Sequence, residues 1–292
     1  MNVLVTGATG FIGRNVVEQF SGEHRVSAPA RAELDLLDAP AVRGYLERHR
    51  FDAIIHAATA RSNRAVGSAP DLFLRNCRMF FNLARNQHAF GRMIFLSSGA
   101  VYDRDCVPPM VTEEQFGERV PSGDYGFAKY VCAKSIRDDG EIYELRLFGV
   151  FGPYEDWRVR FPSNACCRVV WDLPVVIRQN VYFDYLDVAD LARVLAHFVT
   201  GRFRYRHYNV TTGSPVDLKT LAAEVIAISG KRLELVVRQE GLGGEYTASN
   251  HRLMAEIPQL RFRPRKESLA RLYDWYECRK AAIDPGLLRF DE

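Results

Sequence analysis

Apolar residues recur along the chain in short β-rich bursts separated by stretches with helical spacing. Asn2–Thr6 is an apolar run that meets glycine at once, and the next stretch places Phe11, Ile12, Val16, Val17 and Phe20 on one helical face, which predicts strand, turn and helix. Further strands are predicted at 25–28, 53–57, 93–97 and 142–147, with helices at 39–49, 72–87 and 125–137. Such alternation implies an α/β chain built on a doubly wound parallel sheet covered on both faces. After Gly152-Pro153 the pattern loosens through an Arg-rich stretch at 157–168 and resumes at 182–188, followed by a helix over 188–199. The sheet is expected to continue at 182–188 and at 207–210. The expected division is a dinucleotide-binding Rossmann unit over 1–158 and 181–210, and a smaller mixed α/β substrate lobe over 159–180 and 211–292. That lobe closes with a helix at 267–280.

Length and composition narrow the class. With 292 residues, 47% apolar and 26% charged, the chain buries a sizeable core and is neither disordered nor collagen-like. No apolar run approaches the ~20 residues of a bilayer span. Thirty-nine Lys and Arg against 36 Asp and Glu leave a net +3, too weak a bias for a nucleic-acid surface, so a small anion is the expected partner. The N-terminus has no basic, apolar leader pattern, which gives a cytoplasmic expectation. Six cysteines (77, 106, 132, 166, 167 and 278) show no CxxC or Cys-His spacing, so reduced thiols are expected, with no disulfide and no structural metal.

The first turn carries chemistry. Thr6-Gly7-Ala8-Thr9-Gly10-Phe11-Ile12-Gly13 is GxxGxxG between a first strand and a first helix. Gly7 permits the tight turn, Gly10 lets backbone approach a pyrophosphate, and Gly13 lets helix pack on strand, so Gly7, Thr9, Gly10, Phe11, Ile12 and Gly13 form a candidate dinucleotide loop. The second strand ends without the acid that would bind the ribose 2′-hydroxyl of NAD; it runs into Ala28-Pro29-Ala30-Arg31, and Arg14 follows the last glycine. These two cations favour the 2′-phosphate of NADP, with NAD left open. Asp35 and Leu36 follow where a carboxylate and a backbone amide can meet the adenine.

Tyr125-Gly126-Phe127-Ala128-Lys129 is YxxxK, a spacing that puts phenol and ammonium on one helical face. A Tyr with an ordinary pKa near ~10 acts as acid and base near neutrality when a cation stabilises its phenolate. Upstream, Ser97-Ser98-Gly99-Ala100-Val101-Tyr102 ends a central strand, where a hydroxyl can reach a reacting oxygen at the sheet's C-terminal edge.

With TGATGFIG, His56-Ala57-Ala58, Asn76, SSGAVY, YGFAK, RLFGVFGP at 146–153 and FDYLDVAD at 183–190 in this order, the sequence resembles the extended short-chain dehydrogenase/reductase family, whose members are nucleotide-sugar epimerases, dehydratases and reductases. The resemblance implies a Rossmann fold and a catalytic set of Ser98, Tyr125 and Lys129. Tyr125 would trade a proton with a sugar hydroxyl or ketone, and Lys129 would also hold the nicotinamide ribose. His56, Ala57, Ala58, Asn76 and Ser97 would line the cofactor groove. Relatives often dimerise through two helices, here 72–87 and 125–137, with Phe73, Phe80, Phe81 and Val131 as the apolar patch of a homodimer.

Among family reactions, 4,6-dehydration needs an acidic pair where this chain has Gly99 and Ala100. The C3/C5 epimerisation of the otherwise similar GDP-fucose synthases needs a Cys that is missing directly after Ser97-Ser98. The expectation is therefore an NADP(H)-dependent C4 ketone reductase acting on a nucleotide sugar, with an NAD-dependent C4 epimerase as its near competitor. A reductase of another small carbonyl and a non-enzymatic NADP-binding regulator remain as further alternatives. Gly149 and Phe183 replace an Asn and an Arg that often touch the nucleotide diphosphate. Arg160, Arg178 and Arg252 are candidate replacement cations, and Phe161, Asn164 and Tyr185 are candidates to cover base or sugar beside Ser98 and Tyr125.

Overall fold

The computed structural model describes residues 1–60 and 71–288. In chain order the elements are β1 (Asn2–Thr6), α1 (Phe11–Phe20), β2 (Arg25–Ser27), α2 (Ala39–His49), β3 (Phe51–His56), α3 (Leu72–Ala84), β4 (Phe90–Ser98), α4 (Asp124–Lys134) and β5 (Ile142–Leu147). They continue with β6 (Gly149–Phe151), α5 (Phe161–Val170), β7 (Val175–Asn180), β8 (Tyr182–Phe183), β9 (Tyr185–Asp187), α6 (Val188–Thr200) and β10 (His207–Val210). The chain closes with β11 (Val216–Asp217), α7 (Leu218–Ser229), β12 (Leu235–Leu242), α8 (His251–Glu256) and α9 (Arg265–Glu277).

Six strands form one sheet in the order β2-β1-β3-β4-β5-β10, every pair parallel. Chain order reverses between β1 and β3, and in open α/β sheets a ligand crevice lies at such a reversal, outside the carboxyl ends of the strands. Side chains alternate across the sheet. Val3, Val5, Ile55, Ile94 and Leu96 face α1 and α6 in one core, which Leu253, Ile257 and Leu260 complete. Leu4, Ile54, Met93 and Phe95 face α2, α3 and α4 in another. Strands buried on both sides read as unbroken apolar runs, which is why the sequence pattern located them.

The main sheet does not continue at 182–188. Instead β6 leaves β5 and pairs in parallel with β9, Gly149 opposite Tyr185 and Phe151 opposite Asp187, while β8 pairs antiparallel with β11. Asp187 then caps α6 by accepting the Ala189 amide, so the chain passes directly into the helix that covers the sheet. Only β10 extends the sheet, beside β5. A separate core of α5, α7, α9 and β7 holds Phe151, Cys166, Cys167, Leu221 and Leu272.

Phe80 is 1% exposed and packs on Phe95, so it belongs to the core and not to a surface patch. On the outer side of α3 and α4, Phe73 stacks on Phe127 at 5.1 Å between ring centres, and Leu74 and Phe127 are exposed. All six cysteines are free thiols. Among the described residues, no helix is long and apolar enough to cross a membrane.

Candidate active site

The glycine loop lies at the reversal between β1 and β3. Gly7 has φ +70°, and a Cβ on it would stand 2.7 Å from the Ala58 backbone; a Cβ on Gly13 would run into the Gly7 carbonyl. Gly10 differs. It is exposed, and the nearest atom to an added Cβ is the Gly7 carbonyl oxygen at 3.3 Å, so the space ahead of α1 stays open to a diphosphate. Thr9 and Gly10 form the exposed tip, and Phe11 and Ile12 are half-buried behind it. The residues therefore fit a dinucleotide.

The cations predicted for its 2′-phosphate are differently placed. Arg31 is exposed and pairs with Asp35 at 3.1 Å, whose carboxylate also accepts the Leu37 amide at 3.0 Å. That amide bond, more than Arg31, holds the Asp35 carboxyl below its usual pKa. Arg14 is stacked 3.7 Å over the Tyr154 ring and pairs with Glu18, which also accepts the Tyr154 hydroxyl. Leu36 is buried in the core beside α2.

Three other expected groove residues serve the scaffold. His56 lies 1% exposed beneath the groove, with Nδ1 2.8 Å from the Thr6 hydroxyl and its ring stacked on Phe95. Burial, and secondarily the charge of Lys129, pushes its pKa down to about 3. Ala57 and Ala58, partly exposed, form the groove edge instead. Asn76 accepts the Ala60 amide and donates to the carbonyls of Ala60 and Leu72, so it pins the chain after β3. Ser97 is buried beside Glu144.

Ser98, Tyr125 and Lys129 do come together. Ser98 ends β4 and caps the 3-10 turn Gly99–Tyr102, its hydroxyl accepting the Ala100 amide at 3.2 Å. The Lys129 ammonium is 3% exposed and donates to the Leu96 carbonyl at 2.9 Å, 4.5 Å from the Phe95 ring and 5.8 Å from the Tyr125 ring. Tyr125, half-buried, thus stands beside a buried cation one helical turn along α4.

Behind the turn is a buried polar network whose pairing no motif announces. Glu144 and Arg146, both fully buried, pair at 2.9 Å; Arg146 donates to the Tyr102 hydroxyl, which donates to Asn209, and His207 meets Glu144 at 2.8 Å. Burial alone would raise the Glu144 pKa, but the Arg146 charge and the His207 hydrogen bond outweigh it and bring the carboxyl to about 2. The network ties the turn after β4 to β5 and β10.

On the substrate side, a cavity of about 330 Å³ is lined by Phe161, Asn164, Arg178, Phe183 and Tyr185 among others. Phe183 stacks on Tyr185 at 5.5 Å. Asn164 turns its amide to the carbonyls of Trp157 and Arg158 and accepts from Arg168, so it braces the wall. Arg160 precedes α5 and its charge reaches Tyr246. Arg252 is placed elsewhere: it donates to the His207 carbonyl, pairs with Glu114 and lies over the Tyr205 ring, away from this cavity. An Asn at 149 is sterically barred, since a Cβ there would stand 2.6 Å from the Asp184 carbonyl oxygen.

Gly99 meets a wall. A Cβ on it would lie 2.5 Å from the Phe148 ring and 2.7 Å from the Tyr246 hydroxyl oxygen, so this side of Ser98 has no room for another side chain. Tyr246 escaped the sequence reading because it sits far along the chain in no recognisable pattern.

The family model described as "NAD dependent epimerase/dehydratase family" matches residues 3–211. The chain belongs to this family. Among curated relatives, GDP-L-colitose synthase of Yersinia pseudotuberculosis is 30% identical over 195 residues, covering 62% of this chain and 60% of that protein. The UDP-glucose 4-epimerase structure from Thermotoga maritima superposes with a TM-score of 0.80 at 20% identity, covering 97% of this chain and all (100%) of the other. The GDP-mannoheptose C4 reductase of Campylobacter jejuni with NADP bound gives 0.79 at 19% identity, covering 94% and 98%. These two likenesses establish the epimerase/dehydratase fold across nearly the whole chain.

Proposed function

We propose that this family member is an NADP(H)-dependent reductase of a 4-keto nucleotide sugar. One observation carries the reading: the Ser98, Tyr125 and Lys129 set stands intact beside a Gly99 position closed off by Phe148 and Tyr246. The acid of a dehydratase has no place there. No His or Cys is among the described residues lining the 330 Å³ cavity, and no Cys directly follows Ser98, so neither feature favours C3/C5 epimerisation. What remains is proton transfer at a single carbinol or ketone oxygen.

The nicotinamide, when bound, supplies the hydride. Tyr125 gives its phenolic proton to the C4 oxygen, Ser98 holds that oxygen by a hydrogen bond, and Lys129 lowers the cost of the phenolate left behind. Arg31 selects NADP(H) by leaving Asp35 for the 2′-phosphate, a small loss because exposed ion pairs contribute little. Arg178 and Arg160 supply charge to the nucleotide diphosphate. The assembly we assign is a homodimer through Phe73, Leu74 and Phe127 on the outer side of α3 and α4.

The second reading is a C4 epimerase that keeps NAD. Its support is the UDP-glucose 4-epimerase likeness. Incubation with 4-keto-6-deoxy sugars carried on GDP, UDP, dTDP and CDP, in the presence of NADPH, tests the proposal. Loss of nicotinamide absorbance with at least one of them is expected, and no loss with any would refute it.

A further inference from the structure

Tyr102 ends the 3-10 turn that Ser98 caps, and its phenol is held from two sides. The Arg146 guanidinium donates to the phenol oxygen at 2.6 Å, and the phenol proton goes to the Asn209 side-chain oxygen at 2.8 Å. A guanidinium only donates and a phenol has one proton, so the direction of both bonds is fixed. Asn209 is oriented in its turn: its side-chain nitrogen donates to the Val111 carbonyl at 3.0 Å, and its backbone amide donates to the Glu113 carboxylate at 2.7 Å. Tyr102 and Asn209 are both buried, so bulk water competes for none of these bonds.

The turn held in this way touches everything the Ser98 hydroxyl must be aligned with. A Cβ on Gly126 would stand 2.7 Å from the Ala100 carbonyl oxygen, so α4 rests directly on the turn one residue past Tyr125. On the substrate side, the Val111 carbonyl also accepts the Ser249 amide at 3.0 Å, Val111 bridges Ala248, and Tyr246, two residues earlier, bridges Phe183 of the cavity wall. Val101, Tyr102, Val111, Tyr246 and Ala248 share one core. A continuous line of pairing therefore runs from β5 through the turn to the cavity. Burying the Glu144–Arg146 pair that starts it is expensive, since apolar residues of similar volume often serve stability as well or better. What apolar residues do not supply is a directed bond to the Tyr102 oxygen.

We propose that Tyr102 is a positioning residue: the directed chain from Arg146 through Tyr102 to Asn209 locks the Gly99–Tyr102 turn and thereby sets the Ser98 hydroxyl against Tyr125 and the cavity. This rests on the role given to Ser98 above and adds what holds it in place. Tyr102 touches neither sugar nor cofactor in this account; it acts through the turn.

Two measurements test it, one without substrate. Tyr102→Phe keeps the ring and removes both bonds of the phenol. The Ala100 and Asp103 amides, whose hydrogen bonds close the turn, should then exchange with deuterium at least about tenfold faster, with the amides of β1 unchanged. Unaltered exchange in the turn, or an equal rise in β1, would make Tyr102 a general scaffold residue and overturn the proposal. In turnover of a 4-keto nucleotide sugar, Tyr102→Phe should lower kcat about 10- to 100-fold, the cost of a slightly misplaced group, with KM for the sugar and cofactor affinity nearly unchanged. Asn209→Ala, which cuts the chain at its next link, should reproduce that loss. In the Ser98→Ala background Tyr102→Phe should cost nothing more, because no hydroxyl is left to position. Losses that multiply, or a raised KM with kcat intact, would overturn the proposal. A wild-type enzyme inactive on every such sugar would remove the functional reading, and amide exchange would still decide whether Tyr102 locks the turn.

Discussion

The Lys129 ammonium lies 5.8 Å from the centre of the Tyr125 ring, one helical turn along α4, with a single backbone carbonyl, that of Leu96, as its hydrogen-bond acceptor. Among the described residues no carboxylate pairs with this buried ammonium, so its desolvation is costly to the fold. Lys129→Met should therefore leave thermal stability equal or higher. The same change should lower activity, since the proton-passing Tyr125 loses the cation beside it. A stability loss with activity intact would reduce Lys129 to a scaffold residue.

Tyr125→Phe should lower kcat by about 10² to 10⁴ while reduced cofactor still binds, because only the proton-passing group is removed. Ser98→Ala should cost ~10² to 10³. The double variant should be scarcely slower than Tyr125→Phe, as expected of groups acting on one oxygen. Steady-state rates and cofactor titration of the three variants give the comparison.

Arg31→Ala should weaken NADP(H) ten- to a hundred-fold, the equivalent of about 1.5 to 3 kcal/mol for a charge-assisted contact, and leave NAD(H) nearly unchanged. Equal losses for both cofactors would assign Arg31 to the surface pair with Asp35 alone.

His56 gives a pH prediction. Its folded pKa of about 3 lies below the ordinary 6.5, so the unfolded chain takes up a proton that the folded chain refuses. The stability this represents is complete above about 6.5 and is lost as pH falls toward 3. Between pH 7.5 and 5.5 the loss is about 1.4 kcal/mol. Urea midpoints for wild type and His56→Gln should converge as pH falls, and parallel curves would contradict a buried neutral imidazole.

Much of this was legible in the sequence because local rules governed it. The runs 142–147, 39–49 and 207–210 emerge with the bounds read from periodicity, since burial on one or both faces leaves a direct pattern. The stretch 182–188 misled because an apolar β-rich run does not say which strand it pairs with; Gly149–Phe151, three residues too short to register, claimed it. In the site, GxxGxxG and YxxxK work by spacing within a single turn or helix and were readable. Tyr246, Phe148 and the contacts of Arg146 with Tyr102 and of Glu144 with His207 join distant segments, and Arg252 was misplaced for the same reason. Its charge was visible, but its commitment to Glu114 was not.

The stoichiometry of cofactor to sugar tests the central claim most directly. Enzyme at catalytic concentration is mixed with a 4-keto nucleotide sugar and NADPH, and absorbance loss is compared with the reduced sugar formed. A C4 reductase consumes one NADPH per sugar, and Tyr125→Phe suppresses both together. Interconversion of C4 epimers with no NADPH consumed, by enzyme carrying its own NAD, would contradict it.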